Sequence, residues 1–246
     1  MNFSFFKKAP VKQDFSFLGV DMHSHLLPGI DDGLKTVEQT VEYVRELHEM
    51  GYQKFICTPH ILNGVHNNTP ETILTALDLA KEAISEAGIS VTIEAAAEYM
   101  IDDSFEKLLK SEEKLLTFGK NYILIEMSYF AMPFNVYEVI FELQMRGYQP
   151  ILAHPERYSF YHNEFVRYEE MRDRQILFQL NILSLAGYYG KETKKIAEKL
   201  IEKNMVEFIG LDMHHENHMK ATKEYASTQA FYDLVKKIPL LNSTLL

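Results

Sequence analysis

Short apolar runs alternate along this chain with longer amphipathic stretches, and that alternation limits the folds open to it. The runs at residues 18–22, 54–57, 91–96, 122–126, 150–153, 176–180 and 206–211 have the length and composition of buried strands. Between them the apolar spacing is helical. Val37, Val41, Val44 and Leu47 form one stripe behind Thr36, a side chain suited to an N-cap. Ile73, Leu77, Ala80 and Ile84 form another behind Thr69, with Pro70 at the first helical position. Further helices are predicted over 134–146, 191–203 and 220–237, the last stopping before Pro239, and one within 157–174. About seven strand–helix units result, which calls for a parallel sheet with helices outside it. In 246 residues that pattern suits a closed or nearly closed barrel, with a doubly wound open sheet as the runner-up. No Gly-rich phosphate loop follows the first strand, so the usual dinucleotide-binding mark is missing.

One barrel-sized domain over 17–246, behind a loose leader at 1–16, accounts for the length. Phe3, Phe5 and Phe6 in that leader are too few for a signal-peptide core, and the lysines follow rather than precede them. No apolar run approaches the roughly 18 residues of a membrane span. The net charge of −10 disfavours nucleic acid as a partner, since duplex binding rests on Lys and Arg neutralising phosphates. The single cysteine, Cys57, excludes an internal disulfide and any thiolate metal cluster, and is compatible with a reducing compartment.

Nearly every predicted strand runs into a His or a carboxylate. The ends read Asp21-Met22-His23-Ser24-His25, Thr58-Pro59-His60, Ala97-Glu98-Tyr99, Ile125-Glu126-Met127, Ala153-His154-Pro155-Glu156-Arg157 and Leu211-Asp212-Met213-His214, with Asp31-Asp32-Gly33 after the first. In a parallel barrel these ends share one face, so residues far apart in sequence meet in one pocket. His23 and His25 lie two apart and point to the same side of an extended strand; Asp212 and His214 repeat that spacing. His23, His25, Asp32, His60, Glu98, Glu126, His154, Asp212 and His214 make nine candidate ligands, five His and four carboxylates. One ion takes roughly four to six protein donors, so nine point to two or three metals with a bridging carboxylate. Mixed nitrogen and oxygen donors favour Mn²⁺, Fe or Zn²⁺ over Ca²⁺ or Cu(I). Asp21 and Asp31 are expected to orient these ligands. His48, His66, His162 and His218 are expected to be ordinary structural or solvated histidines, with His215 open.

Metal ions clustered in a pocket suit phosphomonoester hydrolysis, because they activate water near neutral pH and stabilise charge on phosphoryl oxygens. Arg157, three residues after His154, supplies a planar fork for phosphate; a salt bridge with Glu156 or another strand-end carboxylate is the plainer alternative. A cysteine phosphatase is excluded, because the residue six after Cys57 is Asn63 rather than Arg. An aspartyl-phosphate enzyme is excluded by the absence of D-x-D-x-T.

In order, D-M-H-S-H-L-L-P-G-I-D-D-G, T-P-H, A-E-Y, I-E-M-S, A-H-P-E-R-Y and D-M-H-H resemble the polymerase and histidinol phosphatase (PHP) superfamily. Within it they are most similar to the capsule- and exopolysaccharide-associated protein-tyrosine phosphatases of bacteria. The resemblance runs from about Gly19 to Tyr232. It implies a distorted (β/α)7 barrel with its site at the C-terminal ends of the strands. It also implies three divalent ions, most often Mn, on the nine residues above, and a catalytic arginine at Arg157. The implied substrate is a phosphotyrosine protein, the tail of a bacterial tyrosine kinase, in the cytoplasm. One departure stands out. Relatives of this kind usually carry a second arginine shortly after D-x-H, whereas residues 214–220 hold none. His218 or Lys220 is the available substitute for phosphate contact, and neither offers a bidentate fork. Histidinol-phosphate hydrolysis, and a weakly active barrel that binds a kinase, are the alternatives.

Overall fold

The computed structural model describes residues 14–111 and 113–246. Its strands are β1 (Val20–Asp21), β2 (Lys54–Cys57), β3 (His60–Ile61), β4 (Thr92–Ala95), β5 (Glu98–Met100), β6 (Tyr122–Glu126), β7 (Gln149–Ala153), β8 (Leu177–Asn181) and β9 (Phe208–Gly210). Its helices are α1 (Val37–Glu49), α2 (Pro70–Glu86), α3 (Asp103–Lys110), α4 (Val136–Met145), α5 (Val166–Asp173), α6 (Ile182–Ala186), α7 (Lys191–Glu202), α8 (Glu216–Ala226) and α9 (Gln229–Val235). Every strand pairing is parallel, as the alternation requires.

The pairings do not make one closed sheet. They make a three-stranded sheet, β1-β2-β4, and a six-stranded sheet, β3-β5-β6-β7-β8-β9. Two of the predicted strands stop where predicted and resume after a short break as β3 and β5, which were not expected, and these breaks explain the division. Pro59 has no N–H to offer a ladder, and Thr58 N donates instead to Ser24 O at 2.9 Å. Ala96 N still reaches Cys57 O at 2.8 Å, and Glu98 N reaches Pro59 O at 3.1 Å. Beyond β1 and β9 the chain ends face each other: Asp212 N donates to His23 O at 2.8 Å and His25 N to Met213 O at 3.0 Å.

Asn242 reinforces this last seam. Its side-chain amide donates to Val20 O (3.0 Å) and Ile209 O (2.7 Å), and its Oδ1 accepts from Ile209 N (3.0 Å). The residue is fully buried, so truncation leaves backbone groups unpaired away from water. Asn242→Ala is expected to destabilise the fold by about 2–4 kcal/mol. Urea unfolding measures this, and a midpoint equal to that of the parent would remove Asn242 from the seam.

Strand parity then places the site. Val20, Met22, Ile56, Ala96, Leu124, Ile151 and Phe208 form a fully buried inner cluster, separate from the larger core between strands and helices. Side chains two residues on share a face, so the parity that turns Ala96 and Leu124 inward carries Glu98 and Glu126 to the top of the same interior. From Phe208 it continues through Gly210 to Asp212. Gly210 is required by close approach: a Cβ there would come within 2.7 Å of both Gln179 Nε2 and His23 Cβ.

Local signals behave as their chemistry predicts. Thr36 caps α1 in a capping box with Gln39, and Thr69 caps α2 with Pro70 inside its first turn. The stretch predicted as one helix over 220–237 is instead α8 and α9, because Thr228 starts a new helix by accepting from Phe231 N at 3.3 Å. Helices α3 and α6 were not anticipated. In the stretch expected as a leader, residues 1–13 lie outside the described residues. Phe15 is fully buried, stacked on Tyr52 at 5.1 Å and edge-on to Phe231 at 5.3 Å. Among the described residues no helix is long and apolar enough to cross a membrane.

Candidate metal centre

All nine ligand candidates converge at the strand ends. Their donor atoms fall into four overlapping groups, each within 4.8 Å: His25–Asp32–His60–His214, His23–His154–Asp212, His23–His25–Glu98, and His60–Glu98–Glu126. His23, His25, His60 and Glu98 each belong to two groups, so the groups form one continuous cluster.

Hydrogen bonds fix the imidazole orientations. Gln179 Oε1 faces His23 Nδ1 at 2.7 Å, and Asp31 Oδ2 faces His25 Nδ1 at 2.7 Å. Both partners accept, so Nδ1 carries the proton in each ring and Nε2 presents a lone pair. Those two Nε2 atoms face each other at 3.4 Å. Two lone pairs at that separation repel unless a cation or an added proton lies between them. Gln179 is itself oriented, its Nε2 donating to Asn181 Oδ1 at 2.9 Å. Asp31 also accepts from Gly33 N at 2.9 Å and His60 N at 3.2 Å, so it orients the ligands as expected from its position.

Glu98 Oε2 lies 3.3 Å from His23 Nε2, 3.5 Å from His25 Nε2 and 3.1 Å from His60 Nδ1. Neither it nor His60 Nδ1 makes a hydrogen bond of acceptable geometry, although both are buried. Atoms that crowd together without aligning on one another are arranged around a shared centre rather than paired. The donor set therefore fits divalent cations, and Glu98, with two carboxylate oxygens at the junction of the groups, would help hold them.

The cluster's electrostatics agree. Burial alone would raise Glu98, but His23 and His60 outweigh it and hold the carboxyl well below the usual range. Burial, together with the Glu98 charge, raises Glu126. Burial opposes protonation of His60, yet the Glu98 and Glu126 carboxylates bring it up to about 9. Without cations, protons on the imidazoles balance the buried carboxylates. Two of the ligand candidates also sit in left-handed backbone conformations uncommon outside glycine: His154 at φ 34° and Asp212 at φ 48°. Such geometry costs about 1–3 kcal/mol and concentrates at functional sites.

Arg157 lies beside this cluster. Its guanidinium donates from one Nη to Asp212 Oδ2 at 2.9 Å, not to Glu156. Its two ring neighbours are Tyr189, 4.2 Å from the guanidinium carbon, and Tyr129, 4.7 Å away. A cavity of about 250 Å³ is lined by six of the nine ligand candidates and by Arg157, Tyr129, Tyr189, His215 and His218. His218, expected to be structural or a substitute phosphate contact, faces the carbonyl oxygen of Asp212 through Nδ1 at 3.1 Å. That nitrogen must donate, so Nε2 is left as a lone pair, and burial lowers the ring to about 4. A neutral ring presenting a lone pair is a poor phosphate donor. Lys220 is exposed on α8 and does not line the cavity. The other histidines have local roles: His48 Nδ1 meets Tyr52 O, His162 Nε2 meets Glu156 O, and His215 caps α8. His66 stacks on His60 at 5.5 Å between ring centres.

The model of the capsular polysaccharide synthesis family CpsB/CapC matches residues 19–246. The chain belongs to the CpsB/CapC family. It is 29% identical to the tyrosine-protein phosphatase YwqE of Bacillus subtilis, over 89% of this chain and 84% of YwqE. It is 28% identical to the tyrosine-protein phosphatase CpsB of Streptococcus pneumoniae, over 89% of this chain and 90% of CpsB. The fold is close to a solved structure from a study of YwqE and CpsB, described there as unique metal-dependent tyrosine phosphatases. The TM-score is 0.78 at 27% identity, covering 92% of this chain and 94% of that one. This chain and that solved structure thus share an α/β architecture across the region that carries the candidate ligands. Gln179, Asn181, Tyr129 and Tyr189 escaped the sequence analysis. Gln179 and Asn181 had an available signal, two polar side chains at the end of an otherwise apolar strand.

Proposed function

We propose that this CpsB/CapC chain is a metal-dependent phosphomonoester hydrolase, a protein-tyrosine phosphatase. Its substrate would be the phosphorylated tail of a tyrosine kinase of capsule or exopolysaccharide synthesis, in the cytoplasm. The observation that carries this is the adjacency of the four overlapping ligand groups to Arg157 in one cavity. At about 250 Å³ that cavity suits a single phosphorylated side chain better than a polynucleotide. The nine residues would hold three divalent ions, Mn²⁺ by preference, with Fe or Zn²⁺ as alternatives. Counting β2–β3 and β4–β5 as interrupted single strands gives seven, the number in a distorted (β/α)7 barrel. The Asp212–His23 and His25–Met213 backbone bonds lie where such a barrel would close.

Bound there, the ions supply an activated water and charge neutralisation for the phosphoryl oxygens. The chain's own residues do the rest. His23 and His25 are held by Gln179 and Asp31 with their Nε2 lone pairs facing the site. Arg157 holds the phosphoryl group with the part of its fork not committed to Asp212, and the flanking Tyr rings keep the guanidinium in plane. A phenolate leaving group, with a pKa near 10, departs with little protonation, so a dedicated general acid is not obligatory.

A panel of tyrosine phosphopeptides, run beside histidinol phosphate with added Mn²⁺, tests the proposal. Turnover of the peptides is expected to exceed that of histidinol phosphate; the opposite ranking would assign the site to a small molecule. Cys57 takes no part in the mechanism. It is fully buried at the end of β2, and burial pushes its thiol far up, so no thiolate forms. Cys57→Ser is expected to keep most of the activity, and iodoacetamide to leave turnover intact. A phosphocysteine trapped during turnover would refute the metal mechanism.

A further inference from the structure

Arg157 is the one Lys or Arg that lines the cavity among the described residues, while Asp32, Glu126 and Asp212 line it too. Part of its fork is already used. One Nη donates to Asp212 Oδ2, so a phosphoryl group with three oxygens meets only the remainder of a single fork.

Tyr189 lines the same cavity and lies against the same guanidinium, 4.2 Å from its central carbon. Its hydroxyl is buried and makes no hydrogen bond among the described residues. A buried hydroxyl without a partner is uncommon, and each case asks for a ligand, a water or a role. The side chain is also held firmly. Tyr189 sits in the turn Gly187-Tyr188-Tyr189-Gly190 between α6 and α7, whose two glycines take φ of 83° and 102°. Gly190 N closes the turn on Gly187 O at 3.1 Å. Tyr188 meets Tyr189 edge-on at 5.1 Å, and both rings pack against His218, at 5.2 and 6.2 Å. Burial pushes the Tyr189 phenol above its ordinary range, so it keeps its proton at neutral pH and can donate to an anion.

We propose that Tyr189 is a phosphate-contacting residue, its hydroxyl donating to a phosphoryl oxygen beside Arg157 while its ring supports the guanidinium. The inference rests on the phosphatase reading of the site. It separates the ring, which acts on Arg157, from the hydroxyl, which acts on the substrate.

Tyr189→Phe keeps the ring and removes the hydroxyl. With the full chain loaded with Mn²⁺, kcat/KM on p-nitrophenyl phosphate is expected to fall roughly 10-fold, the scale of one hydrogen bond to a charged group. Binding of inorganic phosphate, measured by calorimetry, is expected to weaken by a similar factor. Metal content and melting temperature should stay unchanged, and Tyr188→Phe should match the parent in both assays. Equal phosphate affinity in the parent and Tyr189→Phe, with turnover present in the parent, overturns the hydroxyl contact alone. A parent that binds phosphate more tightly than Tyr189→Phe but turns over no phosphomonoester keeps the contact and overturns the phosphatase reading. A parent that neither binds phosphate nor turns over overturns both.

Discussion

Glu98→Gln is expected to lower turnover at least roughly 10³-fold and to strip the chain of most of its bound metal, the scale of losing preorganised charge at a reacting centre. Glu98 is the junction of the cluster. Its Oε2 faces His23, His25 and His60, while Oε1 lies 3.0 Å from His154 Nε2. Glutamine preserves the shape but removes the anion that would help hold divalent cations there. Treatment of the parent with a chelator should reproduce the loss, and added Mn²⁺ should reverse it in the parent only. The metal-free variant should melt lower than the metal-free parent, because His23 and His60 lose the buried anion they are paired with. Protons compete with metal for the same lone pairs. His60, brought up to about 9, is protonated below that pH in the metal-free chain. Apparent Mn²⁺ affinity should therefore rise as pH increases towards about 9. Elemental analysis and steady-state kinetics decide the main point: wild-type metal content and rate in Glu98→Gln would remove Glu98 from the metal centre.

Strand position was the most legible level of the fold. Period and apolar runs locate β6 and β7 almost to the residue, since nothing in those segments competes with the pattern. Helix starts marked by Thr36 and by Thr69-Pro70 were legible for the same reason. The expected continuous sheet failed at Thr58-Pro59, where one missing N–H interrupts a strand that otherwise runs on. Helix α6 was hidden because its five residues, Ile182–Ala186, are too few to show a helical period. The convergence of the nine side chains followed from strand-end placement, which parity then made geometric. Their orientation could not follow in the same way. It depends on Gln179 and Asp31 reaching across the site, and on left-handed conformations at His154 and Asp212 that a preference of Asp and His for such φ is too weak to locate. The aromatic neighbours of Arg157 were equally invisible, because Tyr129 and Tyr189 lie far apart in sequence and meet only through the fold.

Arg157→Ala is expected to lower kcat on an aryl phosphate by roughly 10²–10³, the cost of one preorganised stabilising donor. The guanidinium also touches a candidate ligand, since it donates to Asp212 Oδ2, so two routes to that loss must be separated. Asp212 Oδ2 keeps a second donor, Asn181 Nδ2 at 2.6 Å, so the carboxylate should hold its place and metal content should stay near that of the parent. A loss carried by the phosphoryl contact then shows as weaker inhibition by inorganic phosphate at unchanged metal occupancy. A loss carried by Asp212 shows as metal depletion instead. Arg157→Lys should recover only part of the rate, because it keeps the charge but loses both the planar fork and the face that packs on Tyr129 and Tyr189. An arginine introduced at Asn217 should bring no gain: that position is exposed in the first turn of α8 and lies outside the cavity lining. At His218 an arginine must fit where a buried ring packs against Tyr188 and Tyr189, so it should disturb that packing rather than add a second fork. Near-normal turnover in Arg157→Ala would place the phosphate grip elsewhere. A gain in kcat/KM from Asn217→Arg would mean that the bound substrate extends beyond the cavity over the start of α8.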